Sequence, residues 1–182
     1  GTLEPRKNLE TLIRAFLELR NIPGNEDVVL LLIGPRGWKN DSMFKLLQEH
    51  PDAAKAVRLA GFVSDEDLPW LYSLCELFVF PSLYEGYGLP VAEALKCGAA
   101  VVCGHNSSLP EVGGESVEYA NIRDVGSLRD AIQGLLSNPG RLASLREKAK
   151  RYGESFNWRD SADAYSALFA RLRESARNGV EK

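Results

Sequence analysis

The stretch that decides the fold is ELFVFPSLYEGYGLPVAEALKCGAAVVCG, residues 76–104. It opens with ELFVFPS and closes with AAVVCG, and both are apolar patterns typical of buried strands. Residues 89–96 have helical spacing, while Gly86, Gly88 and Pro90 place the start of that helix at Leu89. The stretch therefore predicts a strand, a glycine loop, a helix and a second strand.

The same alternation extends in both directions along the chain. DVVLLLIGP and AVRLAGFV are upstream strand patterns, and the first predicts burial on both faces of a parallel sheet. SVEYA is a short downstream strand, and Trp158 is expected to anchor the last helix. The other helical patterns are KNLETLIRAFLELR with Asn8 as cap, DSMFKLLQEH, SDEDLPWLYSLC with Ser64 as cap, and residues 125–137, 141–153 and 158–177.

Strands that alternate with helices across short links predict a doubly wound parallel α/β sheet. The length of 182 residues and the absence of an internal linker predict one domain over residues 1–182. No strand pattern precedes the first helix, so we expect the first strand of the sheet at or before Gly1. The chain is therefore expected to be one part of a longer protein.

Composition restricts the classes of function. A net charge of −3 argues against a generic nucleic-acid or anionic-membrane binder, and no apolar run reaches the ~18–20 residues of a membrane span. The opening GTLEPRKN lacks a leader pattern, which predicts no signal peptide. Three cysteines and two histidines without clustering predict a reducing compartment and no structural zinc.

The loop LYEGYGLP has the chemistry of an anion site. Ligands of open α/β sheets bind beyond the carboxyl ends of the strands, and Gly86 and Gly88 allow backbone N–H groups to approach them. The N-terminus of the following helix favours a phosphate. Glu93, one turn into that helix, could accept hydrogen bonds from vicinal sugar hydroxyls, and Glu85 lies at the loop mouth. A ligand with a sugar, a phosphate and another sugar fits this spacing, but a glycine turn beside a surface glutamate fits it equally well.

The segment FVFPSLYEGYGLPVAEALKCGAAVV resembles the donor-binding signature of retaining GT-B glycosyltransferases of group 1. GTLEPRKNLETLIRAF, VVLLLIGP, VRLAGFVSDEDLPWLYSLCELFVFPS, SSLPEVGGES and FNWRDSADAYSALFARL resemble further segments of that family, in the same order. The resemblance covers nearly the whole chain. It implies the Rossmann-like C-terminal half of a GT-B fold, with the N-terminal acceptor domain absent from this chain.

The resemblance also implies roles for individual residues. Glu93 matches the glutamate that holds the nucleotide ribose, and Glu85 matches the one near the hydroxyls of the donor sugar. Lys7 matches the lysine that neutralises the diphosphate; many members have a Gly-Arg pair where this chain has Gly1-Thr2, and Arg6 is expected to supply that charge. The remaining matches are backbone contacts: Gly86, Tyr87, Gly88 and Leu89 for the donor sugar and diphosphate, and Val63 for the base.

Several polar residues have a structural and a functional interpretation. Asp65 and Asp67 form an Asp-x-Asp triplet that could bind metal, but their position after Ser64 is typical of a helix cap. Glu111 in LPEVGG could approach the donor or simply be solvated. His105, just after a strand, could lie at the edge of a ligand.

The expected function is that of a donor domain, in a hexosyltransferase that binds a nucleotide diphosphate sugar, with GDP-mannose as the weakly favoured donor. The acceptor would be a glycan or a lipid-linked saccharide held by the N-terminal domain. We expect no metal cofactor, no nucleic-acid partner, and a cytoplasmic location, at most peripheral to the inner face of the membrane. A related phosphorylase, an epimerase, or a non-catalytic nucleotide-sugar-binding module remain as alternatives.

Overall fold

The computed structural model describes residues 1–39 and 41–179. Its strands are all parallel and form two hydrogen-bonded sheets, β1–β2 and β3–β4–β5. The strands are β1 Leu30–Ile33, β2 Val57–Gly61, β3 Phe78–Phe80, β4 Val101–Gly104 and β5 Glu118–Ala120. The helices are α1 Leu9–Arg20, α2 Asp41–Glu49, α3 Pro51–Ala54, α4 Leu68–Leu74, α5 Leu89–Lys96, α6 Leu109–Gly113, α7 Val125–Leu136, α8 Pro139–Gly153 and α9 Trp158–Gly179.

Strand β4 is covered by helices on both faces. Val102 packs into a cluster with residues of α1, α2 and α7, whereas Val101 and Cys103 pack into a second cluster with α4, α5 and α6. All three side chains are fully buried. Because successive strand residues point to opposite faces, this pattern confirms the predicted doubly wound α/β architecture.

The prediction that the DVVLLLIGP strand is buried on both faces is wrong. Leu32 of β1 is 4% exposed, but its neighbour Leu31 is 43% exposed. Leu32 faces the cluster that includes α1 and α2, while α4, α5 and α6 pack around the β3–β4–β5 sheet. The second face of β1 therefore lacks the cover that the apolar pattern predicted.

The helix predictions succeed most clearly within residues 76–104. Helix α5 spans Leu89–Lys96 as predicted, with Pro90 in its first turn. Asn8 lies at the N-cap position of α1, but its side chain contacts Thr11 Oγ1 and the carbonyl of Ile122 instead of capping the helix backbone. The prediction that Trp158 anchors the last helix is wrong, because its side chain is 80% exposed. No helix of the described ranges has the length and apolar content needed to cross a bilayer.

Residues 1–7 connect the two sheets. The amino group of Gly1 donates to the carbonyl of Ile33 at 3.0 Å, and Leu3 forms a parallel bridge with Arg36 beyond the end of β1. A 3-10 turn at Pro5–Lys7 follows, and the backbone N–H of Leu83 donates to the carbonyl of Arg6 at 2.7 Å. These contacts bring Arg6 and Lys7 beside the loop that follows β3.

Candidate functional site

The loop after β3 carries a cluster of charged groups. Glu85 Oε1 accepts hydrogen bonds from Lys7 Nζ at 2.6 Å and from the Ser82 hydroxyl at 2.7 Å. Glu85 Oε2 lies 2.6 Å from Nη1 of Arg6, whose Nε lies 2.5 Å from Glu4 Oε1. The structure thus brings together three residues that the sequence singled out and adds two that it did not, Glu4 and Ser82.

Burial and hydrogen bonding shift the pKa of the Glu85 carboxyl in opposite directions. Burial, the largest effect, raises the pKa of the carboxyl, but hydrogen bonds from Lys7, Ser82 and Arg6 together outweigh it and leave the pKa below its ordinary value. The hydrogen bond that Arg6 donates to Glu85 is the main reason why the pKa of Arg6 is raised. The lowered pKa of Glu85 and the raised pKa of Arg6 both favour the charged forms of these two groups at neutral pH.

The backbone between the cluster and helix α5 has free donors. Within residues 1–39 and 41–179, nothing accepts a hydrogen bond from the N–H groups of Gly86, Tyr87, Gly88 or Leu89. Gly88 has φ of 102°, a conformation that favours glycine, and it is the N-cap residue of α5. Four N–H groups at the start of a helix make a surface suited to an anion.

The segment after β4 holds this loop in place. Asn106 Nδ2 donates to the carbonyls of Ser82 and Leu83 at 3.1 and 2.8 Å. The N–H of Glu85 donates to Ser107 Oγ at 3.1 Å, and the Ser108 hydroxyl donates to the carbonyl of Tyr87 at 2.7 Å. Sequence analysis assigned no role to these three residues, although Ser107 and Ser108 begin the SSLPEVGGES segment that resembles the family and all three follow a buried strand.

Glu93 lies on the exposed side of α5, where it accepts a hydrogen bond from the buried Tyr72 hydroxyl at 3.0 Å. The backbone of Gly1 lies close to the Lys7 side chain. Lys7 and Glu85 therefore lie before the loop of residues 86–89, and Glu93 lies one turn into the helix that follows it.

Other predicted residues lie around this region or apart from it. Val63 is half-buried just beyond the end of β2. The Ser64 hydroxyl accepts from the N–H of Asp67 and donates to its carboxylate, although α4 begins only at Leu68. Asp67, not Ser64, is the N-cap residue of α4, and its side chain forms no capping hydrogen bond. The prediction that Ser64 caps this helix is therefore wrong, and the contact belongs to the turn that precedes the helix. No group of three or more metal-ligating side chains occurs in the part of the chain that the structure describes.

Two further candidates belong to the segment that follows β4. His105 packs edge-on against Tyr119 and lines a cavity of about 480 Å³ at the carboxyl ends of β4 and β5, with Arg123. Glu111 is exposed in the short helix α6 instead of a loop. The structure shows no contact between either side chain and the charged cluster.

Solved structures identify the fold. Sucrose-phosphate synthase from Thermosynechococcus elongatus superposes with a TM-score of 0.83 and 27% identity, covering 94% of this chain and 44% of that one. Alr3699/HepE from Anabaena, solved with UDP and glucose, superposes with a TM-score of 0.80; at 21% identity over 93% of this chain and 46% of that one, it shows the fold alone. The fold is a Rossmann-like half of a GT-B glycosyltransferase, as predicted.

The family is equally clear. The model of the glycosyl transferases group 1 family matches residues 1–155, and the chain belongs to that family. The O-antigen chain mannosyltransferase B of Escherichia coli is 40% identical over 176 residues, which cover 92% of this chain and 45% of that protein. The chain thus spans less than half the length of this curated relative.

Proposed function

We propose that this chain binds a nucleotide diphosphate sugar as the donor half of a retaining glycosyltransferase. One observation carries the proposal: four N–H groups that have no partner among the described residues lie between the Glu85–Lys7–Arg6 cluster and the exposed carboxylate of Glu93. The N–H groups suit a diphosphate and Glu93 suits the hydroxyls of a ribose. Family membership supports the same assignment.

The cations of the cluster would stabilise the diphosphate leaving group. Lys7 has three N–H donors and Arg6 has five, so each keeps free donors while it contacts Glu85. Because Glu85 already fixes both side chains, less conformational entropy is lost when a donor binds. Catalysis would then rest on oriented charges that meet the negative charge developing on the diphosphate, with no covalent enzyme intermediate.

Glu85 would also reach the donor sugar. An ionised carboxylate has about four acceptor positions, and Lys7, Ser82 and Arg6 occupy three of them. A sugar hydroxyl would take the acceptor position left on Oε2. Glu85 therefore combines the orientation of the cations with recognition of the sugar.

The favoured donor is GDP-mannose. The support is the 40% identity with an O-antigen chain mannosyltransferase. UDP in Alr3699/HepE illustrates a different base on the same fold. The base would meet the backbone near Val63, and this contact does not distinguish guanine from uracil by side-chain chemistry.

The proposal places the acceptor, a glycan or lipid-linked saccharide, on an N-terminal domain of the full-length protein. The active site would then lie between the two halves, in the cytoplasm, with at most a peripheral contact to the inner face of the membrane. Protein cations at the diphosphate make a metal cofactor unnecessary in this mechanism.

The test compares this chain with the full-length protein. The chain should bind a nucleotide sugar weakly, with a Kd near ~1 mM, because it provides the loop, Lys7 and Glu93. Without the N-terminal domain, the other side of the bound donor would remain exposed to solvent. It should not transfer sugar, since nothing orients the acceptor. Ligand-observed NMR measures binding, and a coupled assay measures nucleotide release with and without acceptors.

Three results would contradict the proposal. Acceptor-dependent transfer by this chain alone would refute its role as half of an enzyme. Release of a sugar phosphate with inorganic phosphate, or turnover without an acceptor, by the full-length protein would indicate a phosphorylase or an epimerase. Absence of binding at ~10 mM ligand would favour a non-catalytic module.

A further inference from the structure

A row of aromatic rings joins the two ends of the candidate site. Tyr72 packs edge-on against Phe78, with centroids 5.1 Å apart and an interplanar angle of 88°, and Phe78 stacks on Phe80 at 5.8 Å and 23°. The ammonium group of Lys7 lies 4.8 Å from the centroid of Phe80. At the other end, the Tyr72 hydroxyl donates to Glu93 Oε2 at 3.0 Å. The row therefore runs from the charged cluster to the second glutamate.

We infer that Tyr72 is a positioning residue, which fixes the carboxylate of Glu93 for the hydroxyls of the donor ribose. The inference rests on the proposed function. An exposed glutamate on a helix samples several rotamers, and a ligand that binds it must remove that freedom. The hydrogen bond from Tyr72 restricts Glu93 beforehand and occupies one acceptor position of the carboxylate, so the others remain available.

The surroundings of Tyr72 suit this role. Its side chain is buried between α4 and α5, and its ring is held by Phe78. Burial, and then the charge of Glu93, raise the pKa of the phenol above its ordinary value, so the hydroxyl remains a proton donor at neutral pH. A donor on a rigid, buried ring has a defined position, which the flexible Glu93 side chain must follow.

The other rings of the row also restrict Lys7, which lies where the diphosphate would bind. Phe78 and Phe80 belong to β3, and Lys7 lies over the face of Phe80 while it contacts Glu85. Aromatic rings have few internal degrees of freedom. The row thus fixes the position of Glu93 relative to Lys7. A fixed separation suits a ligand in which the ribose and the diphosphate are covalently connected.

The test measures the affinity of the full-length protein for two probes, GDP and 2′,3′-dideoxy-GDP, by calorimetry. Tyr72→Phe keeps the ring and removes the hydroxyl. It should weaken GDP binding by ~3–10-fold and leave binding of the dideoxy compound within about twofold, because only GDP carries the ribose hydroxyls. In a Glu93→Ala background, Tyr72→Phe should have no further effect on GDP.

Tyr119→Phe is the matched control, because the Tyr119 hydroxyl donates to the carbonyl of Gly114 at 2.9 Å, away from Glu93. This variant should leave the ratio of the two affinities unchanged. Equal losses for both probes in Tyr72→Phe would assign Tyr72 a purely structural role and overturn the inference, as would unchanged GDP binding. If the wild-type protein binds neither probe, the proposed function itself fails, and the inference fails with it.

Discussion

The Glu85→Gln substitution tests the charged cluster, because it removes one charge and keeps the shape of the side chain. The side chains of Glu85 and Lys7 are 9% and 11% exposed, whereas that of Arg6 is 45% exposed. Breaking a buried pair costs ~3–5 kcal/mol, and a half-exposed pair adds at most ~1 kcal/mol. The glutamine oxygen can still accept from Lys7 or Ser82, which recovers ~1 kcal/mol. We therefore expect a loss of ~2–5 kcal/mol in the free energy of unfolding.

Urea unfolding at neutral pH measures this loss. Glu10→Gln is the matched control, because Glu10 pairs with Arg14 one helical turn away on the exposed side of α1. That pair should contribute only ~0.3–0.5 kcal/mol. The comparison separates the effect of burying the cluster from the effect of losing any one ion pair.

The pH dependence of the free energy of unfolding provides a second, independent test of the charged cluster. Burial opposes ionisation of Glu85, but its hydrogen bonds leave the folded-state pKa below the ordinary value. Such a group contributes stability above its unfolded pKa of ~4.3 and loses that contribution as the pH falls through the folded pKa. The difference between wild type and Glu85→Gln should be constant above about pH 6 and should narrow below about pH 4. A difference under ~1 kcal/mol at pH 7, or one that does not narrow in acid, would refute the reasoning.

Further predictions concern the ligand. Glu93→Ala should weaken binding of every nucleoside diphosphate about tenfold or more, whereas Glu85→Ala should affect nucleotide sugars more than bare diphosphates; equal losses in both variants would show that the two roles are assigned wrongly. Gly86→Ala should leave the free energy of unfolding within ~0.5 kcal/mol, because its Cβ would meet no protein atom within 4 Å, yet it should weaken donor binding measured by calorimetry. Excess EDTA should not change donor affinity; a tenfold loss restored by magnesium or manganese would revive Asp65 and Asp67 as metal ligands.

Local signals in the sequence were enough to predict the element that carries the site. Glycine and proline mark the start of α5, and its bounds are predicted to the residue because backbone conformation, not a distant contact, sets them. Contacts between distant segments had no such signal. Glu85 meets Arg6 and Lys7 across nearly eighty residues, and the hydrogen bonds that join Asn106, Ser107 and Ser108 to the loop depend on how two loops pack.

The failed predictions have a common cause. Leu31 and Trp158 are apolar residues in well-defined elements, and their patterns predicted burial. Burial depends on what packs against an element, and the described residues leave Leu31 43% exposed and Trp158 80% exposed. Hydrophobic periodicity predicts whether a segment is a helix or a strand, but it does not predict which other element packs against its apolar face.

The central claim is that the loop at residues 86–89 receives the diphosphate of a nucleotide sugar. The most direct measurement is a titration of the ¹⁵N-labelled chain with GDP-mannose, followed by amide chemical shifts. We predict that the largest changes occur at Gly86, Tyr87, Gly88 and Leu89, whose N–H groups have no partner among the residues that the structure describes. Saturable shifts that leave these amides unchanged, or no shifts at ~10 mM ligand, would contradict the account.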